Sequence, residues 1–223
     1  DTVFAVYNVT KTENGHFLHF GAIEKGSINK NDTVFAEIDV EKRMSAMRNH
    51  TAAHLLQAAL REVLGEHVHQ AGQLVNAERC RFDFSHFSAV TPDEILRIEN
   101  IVNDEILNSI NVVTKEMPIE EARKLGAMAL FGEKYGDIVR VVDIGGKSIE
   151  FCGGTHVKNT SNIGLFKIVS ENSVASGVRR IEAVTGNGVL LFMNELRNSI
   201  NAASAVLKIA NPSKLAERCQ ALT

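Results

Sequence analysis

No run of apolar residues approaches the length of about 18 that a membrane span needs, so a helix crossing a bilayer is excluded. Cysteine is scarce: Cys80, Cys152 and Cys219 lie far apart and make no disulfide framework. A reducing compartment suits such a chain. An excess of positive charge is also missing. The formal net charge is -3, whereas a domain that binds nucleic acid by itself usually shows a basic surface. There are three prolines, no internal repeat and no low-complexity segment. The chain starts at Asp1 without a methionine and shows no charged-then-apolar leader, so the expectation is an excised piece of a cytoplasmic protein. What is present is 44% hydrophobic and 23% charged over 223 residues, enough apolar material for the buried core of one or two domains.

Two short stretches carry the chemistry. His50-Thr51-Ala52-Ala53-His54 and Cys152-Gly153-Gly154-Thr155-His156 each place two metal donors with three residues between them. On a helix, positions i and i+4 share a face about 5 to 6 Å apart, so two imidazoles reach one ion without bending the backbone. In the second stretch Gly153 and Gly154 remove two side chains, letting the backbone fold tightly and aim both donors at one point. Thiolate with imidazole suits zinc, whereas calcium and magnesium take oxygen ligands. Together His50, His54, Cys152 and His156 supply the four ligands of a tetrahedral zinc site. Ala52, Leu55, Leu56, Ala59, Leu60 and Val63 form one helical stripe with His50 and His54 opposite it, so the imidazoles point either to water or into a cleft, and Cys152 and His156 arriving from a distant segment favour the cleft. A metallopeptidase helix would carry glutamate after its first histidine; Thr51 stands there.

The other histidines and cysteines read as structural. Alternation in Arg79-Cys80-Arg81-Phe82-Asp83-Phe84 places Cys80 with Phe82 and Phe84 on a buried strand face. Cys219 sits in a helical tail, His16 and His19 in a hairpin, and His86 at a strand end. His67 and His69 alternate onto one strand face and are reserve ligands.

Residues 1 to about 42 alternate apolar and polar around turn signals: Val3 to Tyr7, Asn14-Gly15, His16 to Phe20 and Thr33 to Ile38. This predicts a small β-barrel of short strands. A mixed region of helices and strands follows from Met44. Thr91-Pro92-Asp93-Glu94 is a helix start with a capping box and proline in the first turn, leading into Ile95, Ile98, Val102 and Ile106. A shorter helix follows Pro118 and ends near Gly126. Ile138 to Ile144 and Ser148 to Phe151 flank Gly145-Gly146, a two-residue hairpin turn that delivers Cys152 at the end of the returning strand. Strands are expected at Gly164 to Val169 and Val178 to Val184, then a long amphipathic helix after Asn187-Gly188 with Leu191, Met193, Leu196, Ile200, Ala203 and Leu207 on its stripe. The fold class is therefore α+β: a small N-terminal β-barrel, a mixed α/β zinc-containing domain, and a C-terminal amphipathic helix.

The two donor motifs, with Gly65-Glu66-His67-Val68-His69-Gln70-Ala71-Gly72, Arg81-Phe82-Asp83-Phe84-Ser85-His86 and Gly177-Val178-Arg179-Arg180-Ile181-Glu182-Ala183 in that order, resemble the editing domain of alanyl-tRNA synthetases over nearly the whole chain. Free-standing editing factors share the zinc motifs, but the long tail after Val184 looks more like a piece of the full synthetase. The resemblance implies a barrel over 1–42, a zinc-dependent editing domain over 43–186, and a helical connector over 187–223 toward an oligomerisation region. Dimerisation would then rest on regions outside this chain. It implies hydrolysis of the ester between serine or glycine and the 3′ end of tRNA for alanine, one zinc per chain, and ATP for the full synthetase but not for this segment. Gln70 is the family's editing-pocket glutamine, and Thr51 between the ligands is a second candidate for contacting serine's hydroxyl. Arg179 and Arg180 match the family motif and are candidates for tRNA contact, with a carboxylate partner such as Glu182 as the alternative. Lys158, Lys167, Arg43 and Arg48 are further positives for an approaching acceptor end. No acid in either motif is an obvious general base, and whether zinc is structural, positioning or a Lewis acid stays open. A zinc-stabilised interaction module without catalysis, a trans-editing factor and the related threonyl-type domain are the alternative readings.

Overall fold

Val3–Lys11 (β1) and Phe17–Lys25 (β2), rich in valine, phenylalanine and other strand-favouring residues, pair antiparallel around a turn in which Gly15 takes a positive φ of 82°. The structure, a computed structural model, describes residues 2–129 and 135–221 and divides into two units, Asp1–Ile38 and Asp39–Thr223. The N-terminal unit corrects the expected barrel: among its described residues only the β1–β2 hairpin is paired. Thr33 to Ile38 keeps its alternating pattern but is in no strand, and Val34 and Phe35 are exposed. The alternation was real, yet closing a barrel takes more strands than this unit provides, and a lone ribbon leaves Val6, Phe17 and Phe20 exposed as well.

The second unit begins three residues before the expected boundary at 42, because Asp39 caps Val40–Leu64 (α1) by accepting from the Lys42 amide at 2.9 Å. The apolar stripe of α1 is buried from Ala52 to Leu60, as its period predicts. Next come Gln70–Val75 (β3), Cys80–Ser85 (β4) and Pro92–Leu107 (α2). The start of α2 is the capping box read from Thr91 to Glu94: the threonine hydroxyl accepts from the Glu94 amide, and the Glu94 carboxylate accepts from the Thr91 amide at 2.8 Å. Val112–Pro118 (β5), Ile119–Lys124 (α3), Ile138–Ile144 (β6) and Ser148–Phe151 (β7) follow, then Phe166–Ala175 (β8), Val178–Thr185 (β9), Asn187–Val206 (α4) and Leu215–Gln220 (α5).

Two antiparallel sheets result, one in the order β3-β4-β9-β8 and the other β5-β6-β7. Cys80, Phe82 and Phe84 on β4 pair with Ala183, Ile181 and Arg179 on β9 and share one face; the first five are buried under α1 and α2. Burying each such phenylalanine is worth about 1.5 to 3 kcal/mol. Burial also pushes the Cys80 thiol up to about 12, consistent with a packing role. Glu99 fastens α2 to β8 by accepting from the Ile168 amide at 2.8 Å and from Lys167 at 2.7 Å. In the second sheet Gly145 and Gly146 both adopt positive φ, the type of turn that joins tightly paired strands, and so β7 runs directly into Cys152. Leu191, Met193, Leu196 and Ile200 on α4 are exposed.

Candidate metal centre and its cavity

His50 and His54 project one turn apart from α1, with ring centroids 5.3 Å apart. The loop after β7 brings Cys152 and His156 to them. Cys152 Sγ lies 3.5 Å from His50 Nε2 and 3.3 Å from His156 Nε2, and one donor atom from each of the four residues lies within 4.8 Å of the others. A tetrahedral zinc with bonds of about 2.05 Å to nitrogen and about 2.3 Å to sulfur requires a sulfur–nitrogen spacing of about 3.5 Å. The donor set fits that ion in chemistry, and the two sulfur–nitrogen distances fit it in spacing.

The backbone of the loop is held by a side chain that the sequence gave no reason to single out. Arg140 on β6 donates from Nη1 to the carbonyls of Cys152 and Gly154, at 2.6 Å each, and accepts from the Cys152 amide through its own carbonyl at 3.0 Å. Gly154 is required by close approach: a Cβ there would overlap the imidazole of His50.

Hydrogen bonds behind the donors orient the rings. The Thr51 hydroxyl donates to the Met47 carbonyl at 2.9 Å, so its oxygen can only accept from the Val157 amide at 3.1 Å and from His156 Nδ1 at 3.2 Å. His156 therefore carries its proton on Nδ1 and turns the Nε2 lone pair toward Cys152. Burial lowers the proton affinity of all three rings. His54 falls to about 3, with His50's charge adding to the effect, and His156 to about 2, with His54, His50 and Arg140 adding; His50 is lowered too, against a hydrogen bond that the Thr155 backbone carbonyl accepts from its ring. Neutral imidazoles at physiological pH are the form that binds a metal.

A cavity of about 430 Å³ opens beside the donors, walled by His50, Gln73, Tyr135, Arg140, Phe151 and Cys152 among others. A larger hollow of about 880 Å³ lies at the C-terminal tail around Val206 to Ala221 and contains none of the donors. Only the smaller one is bordered by metal donors, His50 and Cys152.

Of the residues singled out from sequence, the four donors converge. Thr51 is fully buried with its hydroxyl committed to the ligand loop, not open to the cavity. Gln70 starts β3 opposite Phe84, while Gln73 stands opposite Phe82 and lines the cavity. A bulge between Gln70 and Gly72 puts both glutamines on the side of the sheet that faces α1; without it, three residues apart, they would face opposite ways. Strand alternation separates Arg179 from Arg180. Arg179 forms a two-pronged pair with Glu171 at 2.5 and 2.7 Å, and Arg180 one with Asp83 at 2.7 Å twice. The carboxylate partners are thus Glu171 and Asp83, with Glu182 taken by Arg79. His67 and His69 lie outside the donor group, and His67 instead contacts His86 Nδ1 through Nε2 at 2.9 Å. Lys167 is engaged by Glu99, and Arg48 donates to the Asn162 carbonyl.

Arg140, Gln73 and Glu150 were not visible as site residues. Glu150 alone left a trace: it stands two residues before Cys152 on a strand, hence on the same face.

Comparison with known proteins agrees with the motif resemblance. Residues 139–182 match the family described as the threonyl and alanyl tRNA synthetase second additional domain. The chain is 54% identical over 214 residues to an alanine--tRNA ligase of Staphylococcus saprophyticus, 55% over 217 residues to that of Acetivibrio thermocellus, and 51% over 214 residues to that of Staphylococcus aureus. These alignments take in 96%, 97% and 96% of this chain but 24% of each relative. The chain thus spans about a quarter of the length of the curated relatives it matches.

Proposed function

We propose that this chain, similar over nearly its whole length to a segment of alanine--tRNA ligases, is their proofreading segment, a deacylase that hydrolyses serine or glycine from tRNA for alanine in the cytoplasm. The observation that carries the reading is the convergence of His50, His54, Cys152 and His156 at the wall of a cavity of about 430 Å³. A synthetic pocket shaped for alanine cannot exclude glycine by size and rejects a single added hydroxyl poorly, so a second hydrolytic sieve is the available remedy.

Zinc bound by the four donors would supply positive charge to orient the aminoacyl end or polarise its ester. The chain's own groups do the rest. Arg140 and Gly154 fix the loop against α1, and burial keeps the imidazoles neutral. Gln70 is the proposed contact for serine's hydroxyl; Gln73, on the same side of the sheet, extends that polar wall into the cavity. A group that hydrogen-bonds serine is left unpaired against alanine's methyl, which spares the correct product. Glycine enters by size. Thr51 acts on His156 and not on substrate. Arg179 and Arg180 would meet tRNA only through the guanidinium nitrogen that their carboxylate pairs leave unused, on opposite sides of the sheet, so affinity of the isolated chain for tRNA is weak and identity is read by other parts of the synthetase.

Four protein donors also make a closed site, which favours a second reading: zinc holds an interaction module together and no ester is cleaved. Single-turnover assays on seryl-, glycyl- and alanyl-tRNA separate the two. The deacylase reading expects release of serine and glycine but not alanine, and slower seryl-tRNA cleavage by Gln70→Ala with folding unchanged. Equal, background rates on all three substrates would leave only the module.

A further inference from the structure

His54 is the most enclosed of the three histidines, and its Nδ1 is buried with no hydrogen-bond partner. Such an orphan is costly unless something is to complete it. The atom facing it is Glu150 Oε2, 3.6 Å away on β7. That is too long for a hydrogen bond and too close to be ignored in a dry interior. Glu150 is itself 6% exposed, and its other oxygen accepts from the Ser148 hydroxyl at 2.6 Å, so the carboxylate is aimed. It lies outside the four-donor group.

We propose that Glu150 is a positioning residue of the metal centre: it takes the Nδ1 proton of His54 in a hydrogen bond, fixes that ring with Nε2 toward the ion, and neutralises the site's charge. A divalent ion with one thiolate and three neutral imidazoles carries one net positive charge in a buried place, and a single carboxylate behind a ligand cancels it. With a metal on Nε2 the imidazole would lose electron density and its Nδ1–H would become a stronger donor, favouring closure of the 3.6 Å gap to a hydrogen bond. His156 already has its counterpart in Thr51, at 3.2 Å. Glu150 supplies the same service to His54 and adds a charge that a hydroxyl lacks.

This inference rests on the metal reading of the four donors and is independent of whether the site cleaves tRNA esters. The test is competition for zinc between the protein and a chromophoric chelator, for the parent, Glu150→Gln and Glu150→Ala, with thermal unfolding of each metal-free form measured alongside. Outer-shell partners of this kind are worth about 10- to 100-fold in affinity. Both variants are expected to bind zinc at least about tenfold more weakly. Metal-free Glu150→Gln is expected to unfold at the parent's temperature or above it, since glutamine fills the same space without a charge to bury. Weaker zinc binding without loss of metal-free stability in Glu150→Gln is the signature of a residue kept for the metal; a packing residue would lower both. Parent-like zinc affinity in Glu150→Gln overturns the proposal, even if Glu150→Ala fails to fold. A parent protein that takes up no zinc overturns the metal reading beneath it, and this inference with it.

Discussion

At the scale of the residue, the centre depends on atoms that are absent as much as on those present. Gly154 lies against the His50 ring, where any side chain would displace the imidazole or the loop. Gly154→Ala is therefore expected to weaken zinc binding by at least about tenfold, comparable to the loss of an outer-shell partner, while Gly153→Ala, with open space around its position, leaves it unchanged. Chelator competition checks both; equal affinities would show that the loop can yield. The four donors were legible because metal ligation imposes residue type and local spacing, both of which are written in sequence. Thr51, between His50 and His54, suggests a substrate contact from sequence, whereas the helix turns its hydroxyl onto Met47 and the His156 loop, the latter a relation set by residues some hundred positions away. Arg140 and Glu150 were hidden for a similar reason: Arg140 reaches the ligand loop through the pairing of β6 with β7, and Glu150 faces His54 on a helix about a hundred residues away.

At the scale of the element, local signals served best where one segment satisfies its own polar groups. The capping box of α2 was readable because Thr91 and Glu94 answer each other. Thr91→Ala should cost about 1 kcal/mol of stability, seen as a lower midpoint in urea, with zinc affinity unaffected. A fall in zinc affinity would mean that α2 transmits strain to the site. The hairpin carrying Cys152 was equally plain from Gly145-Gly146. Two features were not. The bulge in β3, which puts Gln70 and Gln73 on one side of the sheet, leaves no mark in an apolar–polar pattern that already tolerates both. The N-terminal alternation said strand without saying how many partners the strand would find, and the barrel expected from it is a hairpin. The paired arginines teach the same lesson in reverse: adjacent in a motif, they are sent to opposite faces by the strand that holds them.

At the scale of the whole molecule, the hairpin unit and the larger unit answer to different forces. In the larger one, a core of helices on a four-stranded sheet holds His50 and His54, and a second cluster around Val139, Val141 and Phe151 carries the strands that deliver Cys152 and His156. An ion shared by these four would tie α1 to the loop that follows β7, so metal binding and the packing around the site would be one process. The similarity to about a quarter of an alanine--tRNA ligase supports the proofreading proposed above, and that proposal rests on the ion. X-ray absorption at the zinc edge of the loaded protein tests this most directly. The account predicts one zinc per chain with one sulfur at about 2.3 Å and three nitrogens at about 2.0 to 2.1 Å. A first shell without sulfur, or one made of oxygens, would contradict it.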